Sequence, residues 1–280
     1  MTGTEVATME MDDETRRRIL AMSGQVISGS KNYIPKVKVN KVVEDRETGK
    51  DLPVGVVAFN SKKHDKWVYA KRKTPVKFVP FVHKMRYIAY DAKAEKTVGR
   101  SILFSDWGEE ILASNGKLKA GKGNSPEHIQ VKCKHCTYGL ISFSGVDAEG
   151  NEVEVDNEPV LFQTGGKAFI EFGDMMKEMR GKILAQYEMD VEVVSRGEGI
   201  YTIELTFKDL TNQLPFTPAA MEALEQFSAF ISAENEMIEK QHNRIVHKQE
   251  PESDGDVVDS DDDDDLADDF EDAEYEEVAE

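Results

Sequence analysis

The sequence predicts a mainly β protein of the α+β class: a Greek-key barrel with insertions, two helices and a disordered acidic tail. Three observations predict it. Between residues 31 and 215 short segments alternate apolar and polar residues with a period of two, the signature of half-buried strands. The turns between them are rich in Gly, Asp and Asn, as in "DAEGNE" and "SRGEGI". Residues 249–280 contain 18 Asp/Glu and no Lys or Arg, so they carry too much like charge and too little apolar area to offset the entropy of ordering a backbone.

Taken in order, residues 1–30 read as a loosely ordered N-terminal arm, with at most a short helix through "DDETRRRILAMS". The body at 31–215 opens with "YIPKVKVNKVV", where Val37 and Val39 alternate with lysines. The further strand candidates are "VGVVAF", "VKFVPFVHKMRYIAY", "TVGRSILF", "HIQVKCKHCTYGLISF", "EVEV", "PVLF", "YEMDVEVV" and "IYTIELTF". So many short strands fit a Greek-key barrel. One helix follows a glycine pair in "GGKAFIEFGDMMKEMRGKIL", with Phe169, Phe172, Met176 and Met179 on one packing face. The second, over 216–248, starts at Thr217 as N-cap and Pro218 as first helical residue. Its Leu224, Ile231, Ile238 and Ile245 recur every seven residues, but Glu234 and Gln241 fall at the seam. The pattern favours docking on the body over helical self-association, and a homodimer stays open.

The chain of 280 residues has a formal charge of -19, yet that figure hides a division. Of 54 Asp/Glu, 36 lie before residue 249 and nearly balance the 35 Lys/Arg, so the tail makes the acidity. Within the body, residues 61–134 hold 17 Lys/Arg against 7 Asp/Glu, and residues 135–248 hold 9 against 20. Such polarisation bears on partners and solubility. No apolar run approaches the roughly 20 residues needed to span a bilayer, and the first residues lack the pattern of a signal peptide, so a cytoplasmic protein without membrane contact is expected.

The basic stretch 62–86 interleaves cations with rings. Cations neutralise phosphates, and flat rings stack on unpaired bases at about 1–3 kcal/mol each. The candidate nucleic-acid contacts are Lys62, Lys63, Lys66, Trp67, Tyr69, Lys71, Arg72, Lys73, Lys77, Phe81, Lys84, Arg86 and Tyr87. A second basic loop adds Lys117, Lys119 and Lys122. Trp67, in "HDKWVYAKRK", is the foremost stacking candidate. Rings spent on contact favour single strands, because a duplex hides its base faces and its readers use a groove-entering helix, of which there is no sign. Period-two alternation puts Phe78, Val82 and Arg86 on one side of their strand and Val79, Phe81, His83, Met85 and Tyr87 on the other, so part of this set is core. The plain alternative is a solvated basic edge that discourages aggregation.

"CKHC" offers Cys133 and Cys136 as weak metal candidates, but structural zinc wants four ligands and no finger spacing supplies the rest, so no cofactor is expected. Gly116, Gly121 and Lys122 imitate a phosphate-binding loop, but Gly123 stands where Ser or Thr is required. The six His are scattered and no acid/base or nucleophile constellation stands out, so the protein is read as no enzyme.

A tethered polyanion competes with nucleic acid for a basic groove at an effective concentration near millimolar. It also carries Leu266, Phe270 and Tyr275, a small apolar grip for a partner, against the simpler role of a solubility tail. A strand-rich body, a basic aromatic stretch, a C-terminal helix and then "DSDDDDDLADDFEDAEYEEVAE" together resemble the single-stranded DNA-binding proteins of tailed bacteriophages. The resemblance is architectural and covers most of the chain. It implies an OB-like fold over 31–215, DNA replication, recombination and repair as the setting, the host-cell cytoplasm as the place, and replication or recombination proteins as tail partners. Several members of that family end on or beside an aromatic residue, whereas Phe270 lies ten residues inside the end. The zinc module of some members, with one His and three Cys, does not carry over to a chain with two cysteines. The alternative function is a regulatory interaction protein that contacts RNA polymerase or the replisome through its acidic end.

Overall fold

The computed structural model describes residues 33–45, 49–94, 96–105, 113–114, 128–166, 168–197 and 199–247. The arm at 1–30, the loop lysines Lys117, Lys119 and Lys122, and the tail with Leu266, Phe270 and Tyr275 lie outside the described residues.

Among the described residues nine antiparallel strands form one sheet: β1 (Lys38–Val39), β2 (Val57–Ser61), β3 (Lys66–Ala70), β4 (Lys77–Asp91), β5 (Lys96–Arg100), β6 (Ile129–Asp147), β7 (Glu152–Thr164), β8 (Met189–Gly197) and β9 (Ile200–Phe207). Helix α1 (Ala168–Glu178) joins β7 to a short 3-10 turn (Leu184–Gln186) before β8, and α2 (Pro218–His247) follows β9. The described residues are thus mainly β, with two α-helices. Pairing runs β1-β2-β3-β6-β4-β8-β9, with β5 added to β4 and β7 to β6. The sheet is not a closed barrel. Its ends nevertheless curl together: β1 lies against β9, and a Cβ at Gly55 would come within 2.8 Å of the Tyr201 ring. One isolated parallel bridge, Lys36 to Leu161, ties the segment before β1 to β7 through the N–H groups of Val37 and Leu161.

The long strands β4 and β6 separate two apolar layers. Phe59, Val68, Phe78, Ile141, Phe143 and Phe162 fill the inside of the curl, where Phe172 and Met176 of α1 join them. Phe81, Cys136 and Tyr138 face the other way, onto Phe227 and Ile231 of α2. The long helix therefore docks on the body, as the heptad with its charged seam favoured. Thr217 caps it, its Oγ1 accepting the Ala220 N–H at 3.2 Å. Asn235 both accepts from the Leu103 N–H (2.8 Å) and donates to the Leu103 carbonyl (3.1 Å), fixing the helix against the chain beyond β5. Among the described residues no helix is long and apolar enough to cross a membrane.

Two departures from simple alternation matter. "EVEV" and "PVLF" form one strand, β7, whose pairing with β6 shifts between Ile141 and Phe143. In β4 the register with β6 shifts between Pro80 and Val82, a β-bulge that inserts one residue and reverses which parity faces which layer. Phe78 consequently enters the inner core, whereas Val82 packs with Phe81 toward α2. This corrects the expected grouping of Phe78 with Val82 and Arg86. Opposite the bulge, a Cβ at Gly139 would stand 2.3 Å from the Val79 carbonyl oxygen and 2.5 Å from the Phe78 ring. Gly139→Ala is therefore expected to lower stability by about 1–3 kcal/mol through overpacking, read as a shifted urea midpoint at unchanged slope.

Candidate nucleic-acid interface

The basic stretch begins at the β2–β3 hairpin, a connection held from below. Ser61, at the end of β2, donates its hydroxyl to both carboxylate oxygens of Glu158 (2.9 and 2.7 Å), which β7 supplies from a buried position. The same Oγ accepts the His64 N–H at 3.1 Å, and His64 Nε2 lies 3.5 Å from Glu158. Anchored on this side, the turn leaves Lys62 and Lys63 exposed. Lys66 opens β3 and reaches Asp147 Oδ2 at 2.5 Å. Burial opposes ionisation of Asp147, but hydrogen bonds from Lys66 and from the side chain and backbone of Asn151 outweigh it and hold the carboxyl well below its ordinary range.

Strand β3 then alternates. Val68 points inward, while Trp67 and Tyr69 point to the outer face, where Leu52, Val56 and Ala58 cover Tyr69. Trp67 stays half-buried at the margin of that cluster, with Lys38 Nζ 5.9 Å from its ring centroid, cation–π range. At the far end of β3 the turn 71–74 carries Lys71, bonded to Glu152 at 2.6 Å, and Arg72, which donates to the Val54 carbonyl at 3.1 Å. Lys73, exposed and left-handed at φ 65°, completes it. Lys77 lies 3.8 Å from Glu188, and Lys84 donates to Ser105 Oγ at 2.5 Å.

Three expected contacts are corrected. Tyr69 is buried because the loop before β2 folds over it, and Phe81 is buried against Phe227 with ring centroids 5.6 Å apart. Arg86 is buried under α2, where it donates to Glu234 Oε1 at 2.8 Å and to the Ser101 carbonyl at 3.0 Å. Tyr87 is half-buried and stacks on Phe104 at 5.5 Å. Trp67 is therefore the half-exposed aromatic ring of 62–86. Lys63, Arg72 and Lys73 have no ion pair among the described residues, whereas Lys66, Lys71 and Lys77 are partnered by acids.

The two cysteines sit on opposite sides of β6, Cys133 half-buried and Cys136 buried. Desolvation pushes Cys133 up to about 12, with the charge of Cys136 adding to it, and pushes Cys136 up to about 11 against the opposing charge of Arg86, so both stay protonated near neutral pH. Among the described residues no three or more His, Cys, Asp or Glu are grouped to hold a metal ion. Two contributors had no signal in their own stretch of sequence: Lys38 on the Trp67 ring, and Glu158 beneath the hairpin. Both come from strands distant in the chain. No protein-family model, no curated protein and no solved structure matches this chain.

Proposed function

We propose that this is a non-catalytic single-stranded DNA-binding protein acting in phage DNA replication, recombination and repair. The observation that carries the reading is the outer face of β3, where Trp67 lies between two cation-bearing turns, 62–65 and 71–74. A five-residue strand sets those turns roughly 16 Å apart, so phosphates on either side of one stacked base would meet Lys62 and Lys63 at one end and Arg72 and Lys73 at the other. An OB-like barrel is part of the proposal. What supports it is the curl of the sheet, the approach of β1 to β9 and the bridge from Lys36 to Leu161. The acidic segment 249–280 competes with DNA for this face and, once displaced, offers Leu266, Phe270 and Tyr275 to replication or recombination proteins.

The test compares labelled oligothymidylate with duplex of the same length, using the full chain and a chain ending at Lys248. Single strands should bind more tightly than duplex, and removing the tail should strengthen binding at low salt. Preference for duplex, or the same affinity for both chains, would overturn the reading. Loss of a co-purifying polymerase on truncation, with no oligonucleotide binding by either chain, would instead support the regulatory alternative. With Trp107, the other of the chain's 2 tryptophans, replaced by Phe, the fluorescence of Trp67 should be quenched by oligothymidylate, and Trp67→Ala should weaken binding by about 1–3 kcal/mol. With four cations on the two turns, log affinity against log salt should have a slope of roughly -2 to -3, at about -0.7 for each phosphate neutralised.

A further inference from the structure

Across the sheet from α2, helix α1 packs over β4 and β6 and leaves a cavity of about 450 Å³. Its lining includes His83, Met85, His135, Phe169, Met176 and the exposed Arg180. The two imidazoles are linked in a definite sense. His135 Nε2 lies 3.0 Å from the Phe169 carbonyl, which can only accept, so that nitrogen carries the proton. His135 Nδ1 is then an acceptor, and His83 Nε2, 2.9 Å away, donates to it. His83 Nδ1 is left with a lone pair and no hydrogen-bond partner among the described residues. Burial disfavours the protonated form of both rings, and for His83 the charge of Lys84, and that of His135 were it protonated, opposes it further. Gly173 of α1 is what admits this arrangement, since a Cβ there would lie 3.2 Å from His135 Nε2.

The residues around the cavity therefore supply an imidazole acceptor, flat or polarisable apolar sides and an exposed cation. Lys177 is taken up by Asp174 at 2.6 Å, but the Arg180 guanidinium is exposed and has no ion pair among the described residues. We infer that this cavity binds a nucleotide unit, its base against Met85, Met176 and Phe169 with an N–H donated to His83 Nδ1, and its phosphate on Arg180. An alkyl carboxylate would leave the imidazole acceptor buried and unsatisfied, at a cost that a base N–H removes. The volume lies in the range of small-ligand pockets. A free nucleoside monophosphate and one nucleotide of a single strand present the same chemistry. The inference does not rest on the role of Trp67, which belongs to a different layer of the sheet.

The test is equilibrium dialysis of the full chain with each of the four deoxynucleoside monophosphates, with deoxyribose 5-phosphate as the base-free control. At least one nucleotide should bind saturably, one per chain, and the control should not. Arg180→Glu, at an exposed position with no ion pair among the described residues, should weaken binding by about tenfold or more. Trp67→Ala should leave it unchanged, which separates failure here from failure at the β3 face. His83→Leu should abolish it where the variant folds. If oligothymidylate displaces the nucleotide, the cavity takes a unit of the strand; if it binds without displacement, the cavity takes free nucleotide. No saturable binding by any nucleotide, equal binding by the control, or full affinity in Arg180→Glu would overturn the inference.

Discussion

Arg86→Met is expected to lower the unfolding free energy by about 3–5 kcal/mol, the cost of leaving a buried carboxylate without its partner. The side chains of Arg86 and Glu234 are 3% and 12% exposed, so solvent screens the pair weakly. Burial works against both charges. Their mutual attraction and hydrogen bond outweigh it, raising the guanidinium's pKa and lowering the carboxyl's. Glu234 keeps two weaker neighbours, Arg100 at 3.7 Å and the Tyr138 hydroxyl at 3.5 Å, which temper the loss without replacing the direct bond. Adding Glu234→Leu to Arg86→Met should recover most of the stability, because an apolar pair of similar size needs no desolvation. Urea unfolding of the two single variants and the double variant closes the cycle. A loss under about 1 kcal/mol in Arg86→Met, or a double variant as unstable as the sum of the singles, would show that the pair does not anchor α2 to β4.

The same pair shows what was legible in the sequence and what was not. Glu234 interrupts an apolar seam, and that interruption was itself the trace of a buried cation on the facing strand. Which cation it meets depends on the bulge at Phe81 and Val82. After that extra residue, even-numbered positions of β4 face α2, and Arg86 is carried from the expected DNA surface into the helix interface. Alternation identified most strands because each has one buried side, and the signals at Thr217 and Pro218 placed the start of α2. Strand β3, "KWVYA", was hidden inside the basic run: its flanking lysines suggested contact while Val68 and Tyr69 were entering the core. The imidazole pair could not be read either. His83 and His135 are 52 residues apart and meet only through the register of β4 on β6, which sets Met85 opposite His135.

That imidazole pair makes stability depend on pH in a window that opens near pH 6.5, above the ordinary carboxylate range. His83 has its pKa lowered to about 3 by desolvation first and then by the charges of His135 and Lys84. In the unfolded chain a histidine takes its proton near pH 6.5. A histidine with a depressed folded pKa contributes stability that is fully present above the unfolded value and is lost as pH falls toward the folded one, because the unfolded state binds the proton first. Each pH unit inside that window is worth about 1.4 kcal/mol, so acidification from pH 6.5 to pH 4.5 should remove about 2–3 kcal/mol on account of His83 alone. His135, shifted in the same direction, steepens the fall. Asp147 contributes later, as pH drops below the usual carboxylate range. His83→Gln keeps an N–H that can donate to His135 Nδ1 but cannot titrate, so it should flatten the acid limb above pH 4.5 while leaving the slope due to His135. Unfolding free energies that stay level from pH 7 to pH 5 in the unmodified protein would mean that His83 is solvated, and that the link between the two rings does not form.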